Sequence, residues 1–116
     1  MSSWALALHG GAGKLARGDL TAEQDAAYRA SLRVCAEAGR AVLAGGGSAV
    51  DAVEIVCRAL EDDPLFNAAR GAVFTAEGRN ELDASIMDGA TLRAGAVAGI
   101  SRTRSPITLA RAVMEH

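Results

Sequence analysis

Glu81-Leu82-Asp83-Ala84-Ser85-Ile86-Met87-Asp88-Gly89 alternates in a way that only one backbone geometry explains. Leu82, Ala84 and Ile86 share one side, and Asp83, Ser85 and Met87 share the other. That two-residue period predicts a half-polar strand with one face toward a core. Asp88-Gly89 then marks a turn, and Ala94 to Ile100 supplies the next strand candidate. Upstream, Ala72-Val73-Phe74-Thr75 is strand-like as well, with Glu77-Gly78-Arg79-Asn80 as a hairpin connection. Three strands in hairpin succession imply an antiparallel or mixed sheet, and a half-apolar sheet needs helices to cover it.

Working outward, the helices are easily found. Thr21-Ala22-Glu23-Gln24 reads as a capping box. From it Tyr28, Leu32, Cys35, Gly39 and Val42 recur at helical spacing to about Ala44. Gly45-Gly46-Gly47 stops that helix, because glycine accepts the left-handed cap without a steric penalty. Ser48 caps a second helix, with Asp51 at its positive end and Val53, Val56, Cys57 and Leu60 on one face. Asp62-Asp63-Pro64 ends it, since a residue before proline is pushed out of helical geometry. The short glycine connection predicts an antiparallel pair. Ser105-Pro106 opens a last helix with Ile107, Ala110, Val113 and Met114 inward. Trp4 to Leu8, apolar and followed by glycines, reads as a buried strand, and His9-Gly10-Gly11-Ala12-Gly13 as a loop. The fold class expected is α/β in an α+β arrangement, with the chain stopping at His116 directly on its last helix, as a fragment or processed subunit would.

Composition narrows the function. The chain has 116 residues, enough for one domain with one core. Alanine and glycine dominate that core, so little apolar area is gained per residue and a modest independent stability is expected. Twelve basic and 14 acidic residues are interspersed, and aromatic residues make up 3%, which argues against a nucleic-acid partner. No apolar stretch approaches a membrane span, and the N-terminal run lacks the basic flank of a secretory signal. A cytoplasmic protein with two reduced, buried cysteines, Cys35 and Cys57, is expected.

Most motifs fail on inspection. Gly11-Ala12-Gly13-Lys14-Leu15-Ala16 formally fits a dinucleotide loop, yet the acidic residue expected about 20 positions later falls within a helix. Gly13-Lys14 suggests a phosphate loop, but Leu8 replaces its first glycine and Leu15 its magnesium-binding hydroxyl. His9-Gly10-Gly11 resembles an esterase oxyanion loop without a serine elbow to serve. Zinc spacing is absent, since His9 and His116 are the only histidines. Glu61-Asp62-Asp63 reads as a solvated helix end, and Asp83 with Asp88 as turn-fixing carboxylates.

Four ordered segments carry more than any of these. They are Leu8-His9-Gly10-Gly11-Ala12-Gly13, Gly46-Gly47-Ser48-Ala49-Val50-Asp51-Ala52-Val53, Leu60-Glu61-Asp62-Asp63-Pro64-Leu65-Phe66-Asn67-Ala68, and Glu81 through Gly89. Together with Ser105 through Glu115 they make the whole chain resemble the N-terminal region of the plant-type L-asparaginase and isoaspartyl peptidase family. The resemblance implies an αββα sandwich of the N-terminal-nucleophile type, of which residues 1–116 form the N-terminal, α-subunit part. In that family a precursor cuts itself before a threonine. The freed threonine hydroxyl attacks the amide of L-asparagine or a β-aspartyl dipeptide, and its own amine is the base.

The resemblance further implies that no catalytic nucleophile lies in this chain. Thr91, preceded by Ala90 and not glycine, is read as a turn residue. The partner implied is a β subunit carrying the threonine, in a dimer of αβ units acting on a small amide. Gly10, Gly11 and Asn67 are implied to support the active centre. A structural sodium ion is implied on the backbone carbonyls of Leu60, Glu61, Asp63, Phe66, Ala68 and Arg70, and carbonyl oxygens suit a hard cation. Ala69 departs from the family, which usually has glycine there. If that position takes a positive φ, alanine adds about 1–2 kcal/mol of strain. Two other classes remain open: a non-catalytic remnant acting as a cation-binding or interaction module, and nucleotide binding through the glycine loop.

Overall fold

The first two helices begin and end on the residues that capping chemistry demands. The computed structural model describes residues 3–12 and 18–116; residues 1–2 and 13–17, Gly13, Lys14, Leu15 and Ala16 of the loop motifs among them, lie outside the described residues. Helix α1 (Ala22–Ala44) carries the full capping box, with the Thr21 amide donating to Gln24 Oε1 at 2.9 Å and the Gln24 amide to Thr21 Oγ1 at 3.1 Å. The left-handed residue of its stop is Gly46, at φ +85°. Helix α2 (Ala49–Asp62) has the Asp51 amide donating to Ser48 Oγ at 3.0 Å, and it ends at an extended Asp63 before Pro64. The two helices pack against each other at a buried Gly39, where a Cβ would fall 2.5 Å from Val56 Cγ2.

The decisive alternation is a strand, β1 (Leu82–Met87), paired antiparallel with β2 (Ala94–Ile100). Ile86 opposes Gly95 and Ala84 opposes Val97, but Leu82 opposes Ile100, so β2 carries an extra residue between the last two pairs. The bulge is secured by Gly99, at φ +64°, whose amide donates to Asp83 Oδ1 at 2.8 Å. Asp88 holds the connecting turn, accepting from the Ala90 amide and the Thr91 hydroxyl, both at 3.0 Å. Thr91 is thus a turn residue.

Helix α3 (Pro106–Glu115) lies across both strands. Ile86, Ile107, Ala110 and Met114 form the buried cluster, with Val50, Cys57, Ala84 and Val97 packed around it. A Cβ on Gly95 would overlap the Ala110 carbonyl oxygen, so this contact of strand and helix requires glycine. Cys35 of α1, Ala52 and Val56 of α2 and Phe66 of the following loop are also buried, and the Tyr28 ring stands edge-on to Phe66 at 6.1 Å.

Two expected strands are corrected. Trp4–Leu8 and Ala72–Thr75 join no ladder among the described residues, leaving a two-stranded antiparallel sheet with three helices. Around 75–79 the turn does form, the Thr75 amide donating to the Arg79 carbonyl at 2.7 Å, but its arms do not pair further. Apolar content made both segments strand-like; a strand also needs a partner for its amides. Val53 and Val113 are 41% and 50% exposed, because Ala52 and Met114 take the inward positions beside them. On the sheet, Asp83, Ser85 and Met87 all face away from α3 and are exposed.

Candidate functional site

The last turn of α2, the loop behind it and the start of β1 enclose a cavity of about 430 Å³. Glu61, Asn67, Ala68, Asp83, Ser85 and Ile107 are among its walls. The loop begins where Pro64 breaks the helix, and folds back through a 3-10 turn at Ala69–Gly71. Asn67 ties this turn to the next segment, its Oδ1 accepting from the Val73 amide at 3.0 Å. Asn80 closes the other side, with Nδ2 donating to the carbonyls of Ala72 at 2.9 Å and Val73 at 3.2 Å. An unlinked 72–75 segment is therefore held by side chains where a ladder is lacking.

The glycine loop meets the same region from the other side. A Cβ on Gly10 would fall 3.1 Å from both Leu32 Cδ2 and Phe66 Cε1, next to Asn67 in sequence. Gly11 has open space around it but sits at φ +122°, a conformation closed to side chains. Its amide donates to His9 Nδ1 at 3.0 Å, which tightens the loop. Gly10 is thus packed directly on Phe66, the residue that precedes Asn67.

The six carbonyls that the resemblance assigned to sodium lie on one tightly turned stretch. Those of Leu60, Asp63, Phe66 and Ala68 each accept one backbone hydrogen bond, from Asp63, Phe66, Ala68 and Gly71 respectively. A carbonyl retains a second lone pair after one such bond. At Gly71 a Cβ would overlap the Phe66 carbonyl oxygen and crowd that of Pro64 at 2.7 Å, so the loop turns carbonyls into a space only glycine leaves open. Among the described residues no three His, Cys, Asp or Glu side chains converge on a metal position. Neutral carbonyl oxygens of this kind fit a hard monovalent cation. Ala69 sits at φ +40°, so it carries the strain anticipated for alanine in a left-handed conformation.

Glu61 overturns its sequence reading. As part of a solvated acidic end it would be exposed, yet it is 6% exposed. Its Oε1 accepts from the Ile107 amide of α3 at 2.9 Å, while Oε2 has no partner among the described residues. Burial pushes the carboxyl above the usual range, and the Ile107 amide offsets only part of that. The missed signal was periodic: Glu61 follows Cys57 by four residues, on the covered face of α2.

Farther along the same helix pair, Arg111 Nη1 reaches Asp51 Oδ1 at 2.7 Å and Glu54 Oε2 at 2.6 Å, and its Nε reaches Glu115 Oε1 at 2.7 Å. Those three carboxylates hold its guanidinium well above the ordinary range. In the cavity wall, Cys57 is a free thiol whose ionisation is opposed by burial and by Glu61, which makes it a poor nucleophile. The cavity thus offers a positioned amide side chain, backbone groups and a thiol that burial keeps protonated.

A family model described as Asparaginase matches residues 2–116. The chain is 50% identical over 116 residues to a protein named isoaspartyl peptidase from Salmonella typhimurium, which covers 100% of this chain and 37% of that relative. Similar figures, 48% identity over 116 residues with 100% and 36% covered, hold for the isoaspartyl peptidase of Escherichia coli. A plant-type L-asparaginase from Thermococcus kodakarensis is 46% identical over 116 residues, covering 96% of this chain and 35% of its own length. The chain spans about a third of the length of these curated relatives.

Proposed function

This chain belongs to the asparaginase family, and on that premise we propose that it is the α-subunit portion of a self-processing amidohydrolase acting on L-asparagine and β-aspartyl dipeptides. One observation carries the proposal: the match runs through the whole chain, from the glycine loop to the final helix. In this reading the attacking threonine comes from a β part, and the residues here build the surface against which it works.

Several features support that division of labour. Asp83, Ser85 and Met87 leave one sheet face uncovered, as half of an αββα sandwich would before its companion sheet packs. Trp4–Leu8 and Ala72–Thr75 have strand character without strand partners among the described residues. Asn67 lines the cavity, and Gly10 packs against Phe66, the residue before it, so that amide dipoles of this loop can orient a reacting group. Asn67 stands as the polar side chain that supports the centre. Leu60, Glu61, Asp63, Phe66, Ala68 and Arg70 would hold sodium through their carbonyls, keeping the Asn67 loop in shape. An assembly of two αβ units in the cytoplasm completes the proposal.

The test uses the chain with whatever residues its gene encodes on either side, alongside residues 1–116 alone. Hydrolysis of asparagine and of a β-aspartyl dipeptide is expected only from the longer protein, with a new N-terminal threonine detectable by peptide sequencing. Turnover by residues 1–116 unaided would sink the proposal. For the ion, the longer protein is expected to melt at a higher temperature in sodium chloride than in choline chloride of equal ionic strength. Identical melting in both removes the sodium.

A further inference from the structure

Glu61 is a buried carboxylate whose cost needs a reason. A charged group with one oxygen unpartnered is a poor filler, and an apolar or amide side chain of similar size would pack at less penalty. We propose that Glu61 is a positioning residue: its carboxyl serves as a remote cap that docks the first turn of α3 onto the last turn of α2, and so fixes the Asn67 side of the cavity. This rests on the reading of Asn67 given above.

The local geometry leaves that cap to Glu61. A helix start normally has a side chain on its first free amides. Ser105 makes no such bond; its hydroxyl instead lies 3.0 Å from Thr108 Oγ1. Pro106 has no amide hydrogen, so Ile107 offers the first one, and its acceptor comes from 46 residues away. The charge is well placed there, at the positive end of α3.

The position of this bond gives it leverage. α2 and α3 are also joined by Arg111 to Asp51 and Glu54, and by the Thr108 hydroxyl to Glu54 Oε1 at 2.9 Å. Those contacts lie about two turns or more before Glu61 along α2, away from the cavity. Arg104 and Asp62 meet nearer the cavity end, but that pair is exposed and contributes little. Loss of the Glu61 bond would therefore leave α3 on the sheet through Ile107, Ala110 and Met114 and joined to α2 through Arg111, with its first turn left to shift against the Asn67 loop. Pro106 and Ile107 form one cavity wall and Asn67 with Ala68 another, and the loop bearing Asn67 departs two residues after Glu61. Such a shift changes the distance between the walls.

The test is a double-mutant cycle in the full protein, with asparagine and a β-aspartyl dipeptide as substrates. Glu61→Asp keeps the charge but shortens the reach by about 1.5 Å. It is expected to lower kcat on the order of tenfold, with KM nearly unchanged, because the substrate itself is not touched. Glu61→Gln keeps the acceptor and is expected to stay within about threefold of the wild type. In an Asn67→Ala background, Glu61→Asp is expected to cost less than about twofold more, since its effect runs through Asn67. Additive losses overturn the inference while leaving Asn67 in the site. An Asn67→Ala variant with wild-type turnover overturns both. Where Glu61→Asp is not recovered folded, Glu61→Gln decides: a loss as large as tenfold shows that acceptor placement is not its role.

Discussion

The hairpin of Leu82–Met87 and Ala94–Ile100 and the segment Ala72–Thr75 began with similar credentials. Both are apolar and rich in residues that suit a pleated chain, and both adjoin turn residues. One became a ladder under a helix. The other is an extended connection held by Asn67 and Asn80, with Val73 66% and Phe74 71% exposed. The difference lies in what each is given to pair with. β1 and β2 satisfy each other's amides and turn Ile86 onto Ile107, Ala110 and Met114, whereas Ala72–Thr75 has side-chain acceptors and donors in place of a strand. Strand propensity is a property of surroundings as much as of residues.

Four measurements bear on that contrast. The largest effect is expected in the paired region: Ile86→Ala should destabilise the purified protein by about 3 kcal/mol in urea denaturation, through lost burial and a cavity against α3. A change under 1 kcal/mol would mean that the hairpin does not anchor the core. Next, Ala69→Gly relieves the positive φ in the loop and is expected to gain about 1 kcal/mol, against a small entropic loss from the added chain freedom. Destabilisation by this change would show that the loop relaxes in solution.

The third test concerns pH. Burial raises the Glu61 carboxyl in the folded protein above its unfolded value. The folded state therefore holds this proton more tightly, so its contribution favours folding at low pH and is lost as pH rises through the raised value. Relative to Glu61→Gln, the wild type is expected to lose stability across that window, read as the difference in denaturation free energy at successive pH values. A difference that stays flat would place the carboxyl in solvent. The smallest effect belongs to the unpaired segment: Val73→Thr should shift stability by no more than about 0.5 kcal/mol when residues 1–116 are measured alone. A larger loss appearing only in the full protein would identify a partner strand.

Local signals located all three helices and the hairpin to within a residue or two. Thr21 with Gln24 and Ser48 with Asp51 are caps whose bonds span three residues, and Pro106 fixes its own φ at a helix start, so sequence suffices for them. The site was legible by a different route. Gly10, Gly11 and Asn67 come from the resemblance alone as site residues; what the geometry adds is local, a close approach at Gly10, a positive φ at Gly11 and an anchoring bond at Asn67. Glu61 escaped because its meaning depends on an amide 46 residues away.

What the sequence alone determined is short-ranged or ancestral. Capping bonds, glycine stops and the two-residue alternation act within a few residues, and family membership is carried by the order of segments. Burial of Glu61, the inward choice of Ala52 over Val53, and the split between paired and unpaired extended segments were decided only by the tertiary structure. Each depends on which distant surface arrives opposite, and desolvation and backbone pairing are set by that neighbour and not by the residue itself.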